Sequence, residues 1–228
     1  MNTDRFAVIA ANYEDLFSQV YTVQKLDYSQ FEQSIFTAAN TLAGLNNKRV
    51  LDVGCGDGAT SFRFIEAGCR VQGIDTNPEM VSAYNKRYAN QAKAKIGNAT
   101  NMSGFNPGEI DIIVTGASIH NIPKVERVNF WKEVLRLTPE IVVIGEKIVD
   151  LDPVKHQISY NNEIEALTEI YGRQHHLHEQ LKTWIAHYEY DERERLELTE
   201  VQEALGDAYD LKVTFEMGMV KTIRGLRK

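Results

Sequence analysis

Three glycines follow an acidic residue at the end of a short apolar stretch, in the segment LDVGCGDGAT at residues 51–60. Gly54, Gly56 and Ala59 fit the spacing G-x-G-x-x-A, in which small residues allow a tight turn and a close approach of ligand to backbone. Asp75 follows about twenty residues later, where nucleotide-binding folds place the acid that binds a ribose hydroxyl. The spacing predicts a site for a ligand that contains a ribose.

The charge of Asp52 separates two classes of such ligands. A pyrophosphate bridge is negative, so a carboxylate two positions before Gly54 would disfavour it by roughly 1 kcal/mol or more at an effective dielectric constant of about 20. The ammonium and sulfonium groups of S-adenosylmethionine are positive, and the same carboxylate attracts them. Charge therefore favours S-adenosylmethionine, and a dinucleotide such as NAD is the alternative.

The elements that position these residues alternate between strand and helix. Short apolar runs predict strands over residues 49–53, 70–75, 93–97, 111–115 and 141–144. Helical spacing and capping residues predict helices over residues 60–67, from 77 to about 88, and over 125–137. Strands separated by helices form a parallel sheet that is covered on both faces and binds ligands at its carboxyl edge. The predicted fold class is α/β.

Helical segments precede and follow this alternating core. Residues 1–46 carry apolar side chains at helical spacing, with one helix around Tyr13 and a second from Tyr28 to Leu45. Residues 150–208 predict two or three helices, and 209–228 alternate around Gly218 as a β-hairpin does. We expect a single domain with these parts: an N-terminal helical lid at 1–46, a cofactor-binding core at 47–149, a helical cap at 150–208 and a hairpin at 209–228.

The composition narrows the class of protein. The 228 residues are 43% hydrophobic and 25% charged, and neither an apolar run of about 18 residues nor a secretory signal is visible, which favours a cytoplasmic protein without a membrane anchor. The net charge of −7 disfavours nucleic acid as a partner, and a homodimer stays open. Cys55 and Cys69 lack the spacing of metal ligands, so we expect buried thiols and no metal site.

Four segments resemble, in order and spacing, the motifs of class I S-adenosylmethionine-dependent methyltransferases. They are VLDVGCGDG (50–58), GIDTNPEM (73–80), DIIVTGASIHNIP (111–123) and VNFWKEVLRLTP (128–139). The resemblance spans residues 49–148 and implies a seven-stranded, Rossmann-like methyltransferase sheet with S-adenosylmethionine as the cofactor. The implied activity is the in-line transfer of a methyl group to a small molecule.

The resemblance also implies roles for single residues. Asp75 would bind both ribose hydroxyls, and Met80 would pack on the adenine. Asn98 stands where the family commonly has an acid that receives the adenine amino group, so only an amide oxygen is available there. Tyr13 resembles a tyrosine that many small-molecule members place over the donor. The rest of the implied cofactor-binding set is Asp52, Gly54, Cys55, Gly56, Thr76, Ala99, Thr115 and Gly116.

The candidate catalytic bases for removing a proton from the acceptor are His120, Glu146, Tyr13 and the histidines of the predicted cap. Each also has a structural alternative. His120 could have no proton role, Glu146 could pair on the surface, and Tyr13 could pack in the core. Asp75, likewise, could merely cap the helix that begins at Pro78.

Other functions remain possible at this level. The order of VIGEKI (143–148), a helical segment and a hairpin is similar to that of carboxy-S-adenosylmethionine synthases, which modify the donor. An NAD-dependent oxidoreductase and a cofactor-binding protein without turnover are further alternatives. The histidines within 173–178 are interpreted as a solvated helix face, and the charged run 191–197 as an exposed helix with i,i+4 pairs.

Overall fold

Seven strands form one mixed sheet in the computed structural model, which describes residues 13–41, 44–149, 152–172 and 178–228, except for a few side chains near the ends of helices. The strands are β1 (Arg49–Val53), β2 (Arg70–Asp75), β3 (Lys93–Ile96), β4 (Ile112–Gly116), β5 (Ile141–Lys147), β6 (Tyr209–Met217) and β7 (Val220–Arg227). Their order is β3-β2-β1-β4-β5-β7-β6. Strands β1 to β5 run parallel, and β7 is antiparallel to both β5 and β6, so the predicted fold class is confirmed.

The helices lie largely where the sequence predicts them. They are α1 (Tyr13–Val23), α2 (Ser29–Ala39), α3 (Ser61–Glu66), α4 (Pro78–Tyr88), α5 (Lys124–Leu137), α6 (Pro153–Gly172), α7 (His178–Arg193) and α8 (Leu198–Leu205). A short 3₁₀ turn covers Ile119–Asn121. None of the helices that the structure describes is long and apolar enough to cross a membrane.

Helix α2 is shorter than the apolar pattern predicts, because it ends at Ala39 and not at Leu45. Leu45 is buried outside any helix, and its carbonyl accepts hydrogen bonds from Lys48 N at 3.0 Å and from the Cys69 thiol at 3.2 Å. The apolar residue at this spacing therefore serves a buried turn. Burial alone does not distinguish such a turn from another helical repeat.

Both faces of the sheet are covered. On one face, α5 and α8 pack on strand residues in a single apolar cluster, whose members include Leu51, Ile113, Ile144, Phe130 and Leu205. On the opposite face, α2 comes so close to β5 that a Cβ at Gly145 would lie 2.5 Å from Ile35 Cδ1. These two layers hold the carboxyl ends of the strands in place.

The chain divides into two compact units. One combines residues within 1–30 and 150–193, and the other combines 31–149 and 194–228, which hold the sheet. In the first unit, Tyr21 donates a hydrogen bond to Glu163 at 2.9 Å, and His156 contacts Glu192 at 3.1 Å. The helices of 150–208 are present, but their role as a cap, like the division into four segments, stays a prediction.

The charged run at 191–197 is not a continuous exposed helix, and that prediction is wrong. Helix α7 ends at Arg193, and Glu194 accepts a hydrogen bond from Lys124 N at 2.8 Å, at the start of α5. Arg127 is buried and donates to the carbonyls of Ile122, at 2.9 Å, and Glu194. The arginine and the helix start fix the backbone of this run. The histidines at 173–177 lie outside the described residues, as does the side chain of 178.

Replacing the buried guanidinium tests this arrangement. Arg127→Ala should lower the free energy of unfolding by about 3–5 kcal/mol, because the carbonyls of Ile122 and Glu194 lose their donor and Glu200 loses its cation. Lys48→Ala, which removes a partly exposed pair with Glu140 at 2.7 Å, should change it by only about 0–1 kcal/mol. Urea unfolding measures both variants. Equal losses would contradict the role given to Arg127.

Candidate active site

The glycine segment forms the loop between β1 and α3 at the carboxyl edge of the sheet. Gly54 and Gly56 have φ values of 70° and 52°, in the left-handed region that favours glycine. A Cβ at Gly54 would lie 2.5 Å from Ser118 Cβ, so packing requires glycine there. A Cβ at Gly56 would have no atom within 4 Å. The backbone of Gly56 therefore faces open space that a ligand can enter.

The loop after β4 lies directly against this glycine loop. Ser118 Oγ donates to the Val53 carbonyl at 3.0 Å, and Ala117 adopts a left-handed conformation with φ of 48°. Thr115 is fully buried, and its hydroxyl has no hydrogen-bond partner among the described residues. Gly116 lacks the Cβ that would collide with Thr60 Oγ1. The strand order reverses between β1 and β4, and open α/β sheets bind ligands at such a point.

Asp75 ties the end of β2 to the glycine loop. Its Oδ2 accepts from Gly56 N at 2.9 Å, and its Oδ1 accepts from Asn77 N at 2.8 Å. Helix α4 is capped by Asn77, which accepts from Glu79 N and Met80 N, so the interpretation of Asp75 as the helix cap is wrong. Asp75 is half-buried, and each carboxylate oxygen keeps a further acceptor site. Its role toward the ribose stays a prediction.

Asp52 is a fully buried carboxyl behind the loop. Ser61 Oγ donates to its Oδ2 at 2.7 Å, and its Oδ1 has no hydrogen-bond partner in the part of the chain that the structure describes. Burial raises the pKa of Asp52 to about 7, against the hydrogen bond from Ser61, and the charges of Asp75 and Asp57 add to the increase. A buried acceptor without a donor fits a positively charged group, and it fits a phosphate poorly.

The predicted adenine-binding residues are more exposed. Asn98 is exposed, and its Oδ1 accepts from both the amide and the hydroxyl of Thr100 at 2.9 Å. Both lone pairs of that oxygen are therefore engaged in this structure. Met80 is half-exposed, Thr76 is exposed, and Ala99 packs against the core. Their roles toward a cofactor stay predictions.

The two cysteines are buried free thiols, as predicted. Cys55 N donates to the Ile74 carbonyl at 3.1 Å, and burial raises the pKa of the Cys55 thiol far above its usual value. Burial also raises the pKa of Cys69 to about 11. Neutral thiols at both positions serve packing, and Cys55 contributes its backbone to the loop.

His120, in the short turn after β4, and Glu146, near the carboxyl end of β5, form a buried pair. His120 Nδ1 lies 2.8 Å from Glu146 Oε1, and the carboxylate also accepts from the backbone N–H groups of Ile119 and Lys147, each at 2.8 Å. Burial disfavours the charged carboxylate, but His120 and these backbone donors outweigh it and hold the pKa of Glu146 below its usual value. The interpretation of Glu146 as a surface ion pair is therefore wrong. Tyr13 begins α1, but its side chain lies outside those described.

Two tyrosines behind the loop are not identified by sequence reasoning. Tyr84 donates to Ser61 Oγ at 2.9 Å, and Tyr88 donates to the Gly58 carbonyl at 2.6 Å. Both lie on the buried face of α4, one turn apart. A buried tyrosine hydroxyl needs a polar partner, and this was the available signal. A Cβ at Gly58 would collide with both rings, so this glycine makes room for them.

Comparison with known proteins agrees with this geometry. Residues 50–140 match a family described as a methyltransferase domain. The fold is similar to magnesium protoporphyrin IX methyltransferase of Synechocystis with bound S-adenosylhomocysteine, with a TM-score of 0.62, 16% identity and coverage of 99% of this chain and 100% of that chain. Over residues 50–140 the sequence therefore resembles a methyltransferase domain, and the chain shares the fold of methyltransferases of known structure.

Further similar proteins are also methyltransferases. A TehB-like methyltransferase of Corynebacterium glutamicum has a TM-score of 0.60 and 12% identity, covering 97% of this chain and 100% of that chain. A thiol S-methyltransferase of Homo sapiens is 28% identical over 53% of this chain and 50% of its own length. A ubiquinone biosynthesis O-methyltransferase of Xanthomonas euvesicatoria is 25% identical over 53% and 49%. The chain spans about half the length of the curated relatives it matches.

Substitution by alanine should affect stability differently at the two glycines of the loop. Gly54→Ala should lower the free energy of unfolding by about 2–4 kcal/mol, because backbone strain adds to the collision with Ser118. Gly56→Ala should lower it by only about 1 kcal/mol, from the left-handed backbone alone. Urea unfolding without ligand measures both. A larger loss at Gly56 would contradict the packing described.

Proposed function

We propose that this protein transfers a methyl group from S-adenosylmethionine to a small-molecule acceptor. The observation that carries the proposal is the buried carboxylate oxygen of Asp52, without a partner among the described residues, behind a glycine loop with open space at Gly56. That combination suits an adenosyl ligand with a cationic amino acid part. The methyltransferase match at 50–140 agrees with it, and the comparisons do not favour the NAD or donor-modifying alternatives.

The residues of the loop would hold the cofactor by complementary contacts. The Gly56 backbone admits the amino acid part without obstruction by a Cβ, Asp52 attracts its ammonium, and Asp75 accepts from the ribose hydroxyls. The cofactor supplies a methyl group that is already activated on a positively charged sulfur. The protein's main task is then to align the acceptor and exclude water, and such positioning contributes up to about 7–11 kcal/mol in favourable systems.

The His120–Glu146 pair supports a protic acceptor, such as a hydroxyl or a thiol. Glu146 holds Nδ1 of the imidazole, which directs Nε2 to be the nitrogen that takes the acceptor's proton. Glu146 then acts as a positioning residue, because three of its hydrogen bonds, from Ile119 N, His120 N and His120 Nδ1, fix the turn that carries His120. The names of the two curated relatives, a thiol S-methyltransferase and an O-methyltransferase, agree with this acceptor class.

The proposal also includes expectations about the type of acceptor, the location of the protein in the cell and its oligomeric state. The net charge of −7 supports a small acceptor over nucleic acid. A cytoplasmic location, a homodimer and coverage of the cleft by 1–46 and 150–208 belong to the same proposal. Tyr13 would contribute from the first of these segments.

Removing the Asp75 carboxylate tests the cofactor assignment. Asp75→Ala should weaken the binding of S-adenosylhomocysteine by about 1.5–3 kcal/mol, because charge-assisted bonds to two hydroxyls are lost. Asp57→Ala is the matched control, since that partly exposed carboxylate lies in the glycine loop but pairs with Arg87 at 2.9 Å. Its effect should be much smaller. Calorimetry measures both, and circular dichroism checks folding.

NAD serves as the competing ligand in the same titration. The wild-type protein should bind S-adenosylhomocysteine and not NAD. Binding of NAD with no binding of the sulfur compound would contradict the proposed function.

The base role of His120 is tested with two acceptors of different acidity. His120→Gln should slow methylation of catechol by about 10²–10⁴-fold, because the acceptor's proton has no base to receive it. The loss should be much smaller with thiophenol, which is largely ionised at neutral pH and needs no base. Binding of S-adenosylhomocysteine should stay the same. Equal losses with both acceptors would contradict a base role and favour a structural one.

A further inference from the structure

A directed chain of hydrogen bonds runs behind the glycine loop. The Tyr84 hydroxyl, on α4, donates to Ser61 Oγ at 2.9 Å, and Ser61, at the start of α3, donates to Asp52 Oδ2 at 2.7 Å. All three side chains are fully buried. Because Ser61 accepts from Tyr84, its own hydrogen is directed toward Asp52. The chain therefore links two helices, α4 and α3, to one carboxylate oxygen of β1.

The electrostatic surroundings of Asp52 disfavour its charge. Its Oδ1 has no hydrogen-bond partner in the described structure, and the charged groups that act on it are the acidic Asp75 and Asp57. The other titratable groups near it are the thiol of Cys55 and the phenol of Tyr84, and both are neutral because burial raises their pKa. Ser61 supplies the one described side-chain hydrogen bond that favours the carboxylate.

We propose that Tyr84 and Ser61 are positioning residues that hold Asp52 ready to lose its proton when the ammonium group of the adenosyl cofactor binds. The inference rests on the proposed function, since it needs that cofactor in the loop. Binding then converts the carboxyl group of Asp52 into a carboxylate, and the proton passes to solvent. The new ion pair forms between the cofactor's ammonium and Asp52.

The direction of the pH dependence follows from the raised pKa of about 7, compared with 3.8 for an ordinary aspartate. Between these values the folded protein keeps a proton that the unfolded chain has released, so stability falls as pH rises through this window. A cation beside Asp52 offsets that loss. Affinity for the cofactor should therefore rise with pH through about 7, as Asp52 becomes charged.

Proton release is the readout that separates this role from simple packing. S-adenosylhomocysteine binding is measured by calorimetry at pH 7 in two buffers with different ionisation enthalpies. The wild-type protein should release about half a proton per site, because Asp52 is then about half protonated. Asp52→Asn should remove this release, and 5′-methylthioadenosine, which lacks the ammonium group, should cause none.

Three variants of Ser61 and Tyr84 test the hydrogen-bond chain that leads to Asp52. Ser61→Ala should raise the pH midpoint of the affinity profile by about 1–2 units, because the carboxylate loses a charge-assisted hydrogen bond. Ser61→Thr, which keeps the hydroxyl, should restore the midpoint. Tyr84→Phe should raise it by a smaller amount. Tyr88→Phe is the matched control, because its ring packs on Tyr84 at 4.9 Å while its hydroxyl binds the Gly58 carbonyl, and its midpoint should not move.

The outcomes separate the inference from the proposed function. Binding of S-adenosylhomocysteine to the wild-type protein without proton release, or unchanged midpoints in Ser61→Ala and Tyr84→Phe, would overturn the inference alone. Failure of the wild-type protein to bind S-adenosylhomocysteine at any pH would overturn the proposed function and the inference together.

Discussion

The close approach of the loops after β1 and β4 is the constraint on which the rest of the site depends. Gly54 has no Cβ, so the Ser118 side chain fits against it and donates to the Val53 carbonyl. This contact fills the space between the two loops where the strand order reverses, while Gly56 still faces open space. Asp75 then holds the backbone of the loop against the end of β2, because it accepts a hydrogen bond from Gly56 N. These contacts fix the positions of the candidate ligand-binding groups in the glycine loop and at the end of β2.

Two buried carboxyl groups in this site are held in opposite ways. Glu146 receives four hydrogen bonds, which outweigh burial and favour the charged form. Asp52 receives one side-chain bond and lies near other acids, so its charged form is disfavoured. A fully satisfied carboxylate suits a structural and positioning role. A poorly satisfied one suits a site that a cation completes, so the same residue chemistry supports two different tasks.

Much of the fold and of the glycine loop could be predicted from the sequence, because the patterns that indicate strands, helix caps and turns are local. Strand β2 has its predicted bounds of 70–75, and Asn77 caps α4 as the N-P pair predicts. The errors come from long-range packing. The run at 191–197 interacts with Arg127, about 70 residues away, and Glu146 meets His120 from a neighbouring strand. No periodic pattern reports such partners, and the contact of Tyr84 with Ser61 was missed for the same reason.

The backbone of Ala117 has a further consequence for the rigidity of the loop after β4. A non-glycine residue with φ of 48° is strained by about 1–2 kcal/mol, and it is held there by a bond from its N–H to the Gly145 carbonyl at 2.8 Å. Glycine at this position would relieve the strain but enlarge the conformational freedom of the segment. The methyl group of Ala117 therefore lowers the stability of the folded state and at the same time narrows the conformations open to this segment, beside the glycine loop.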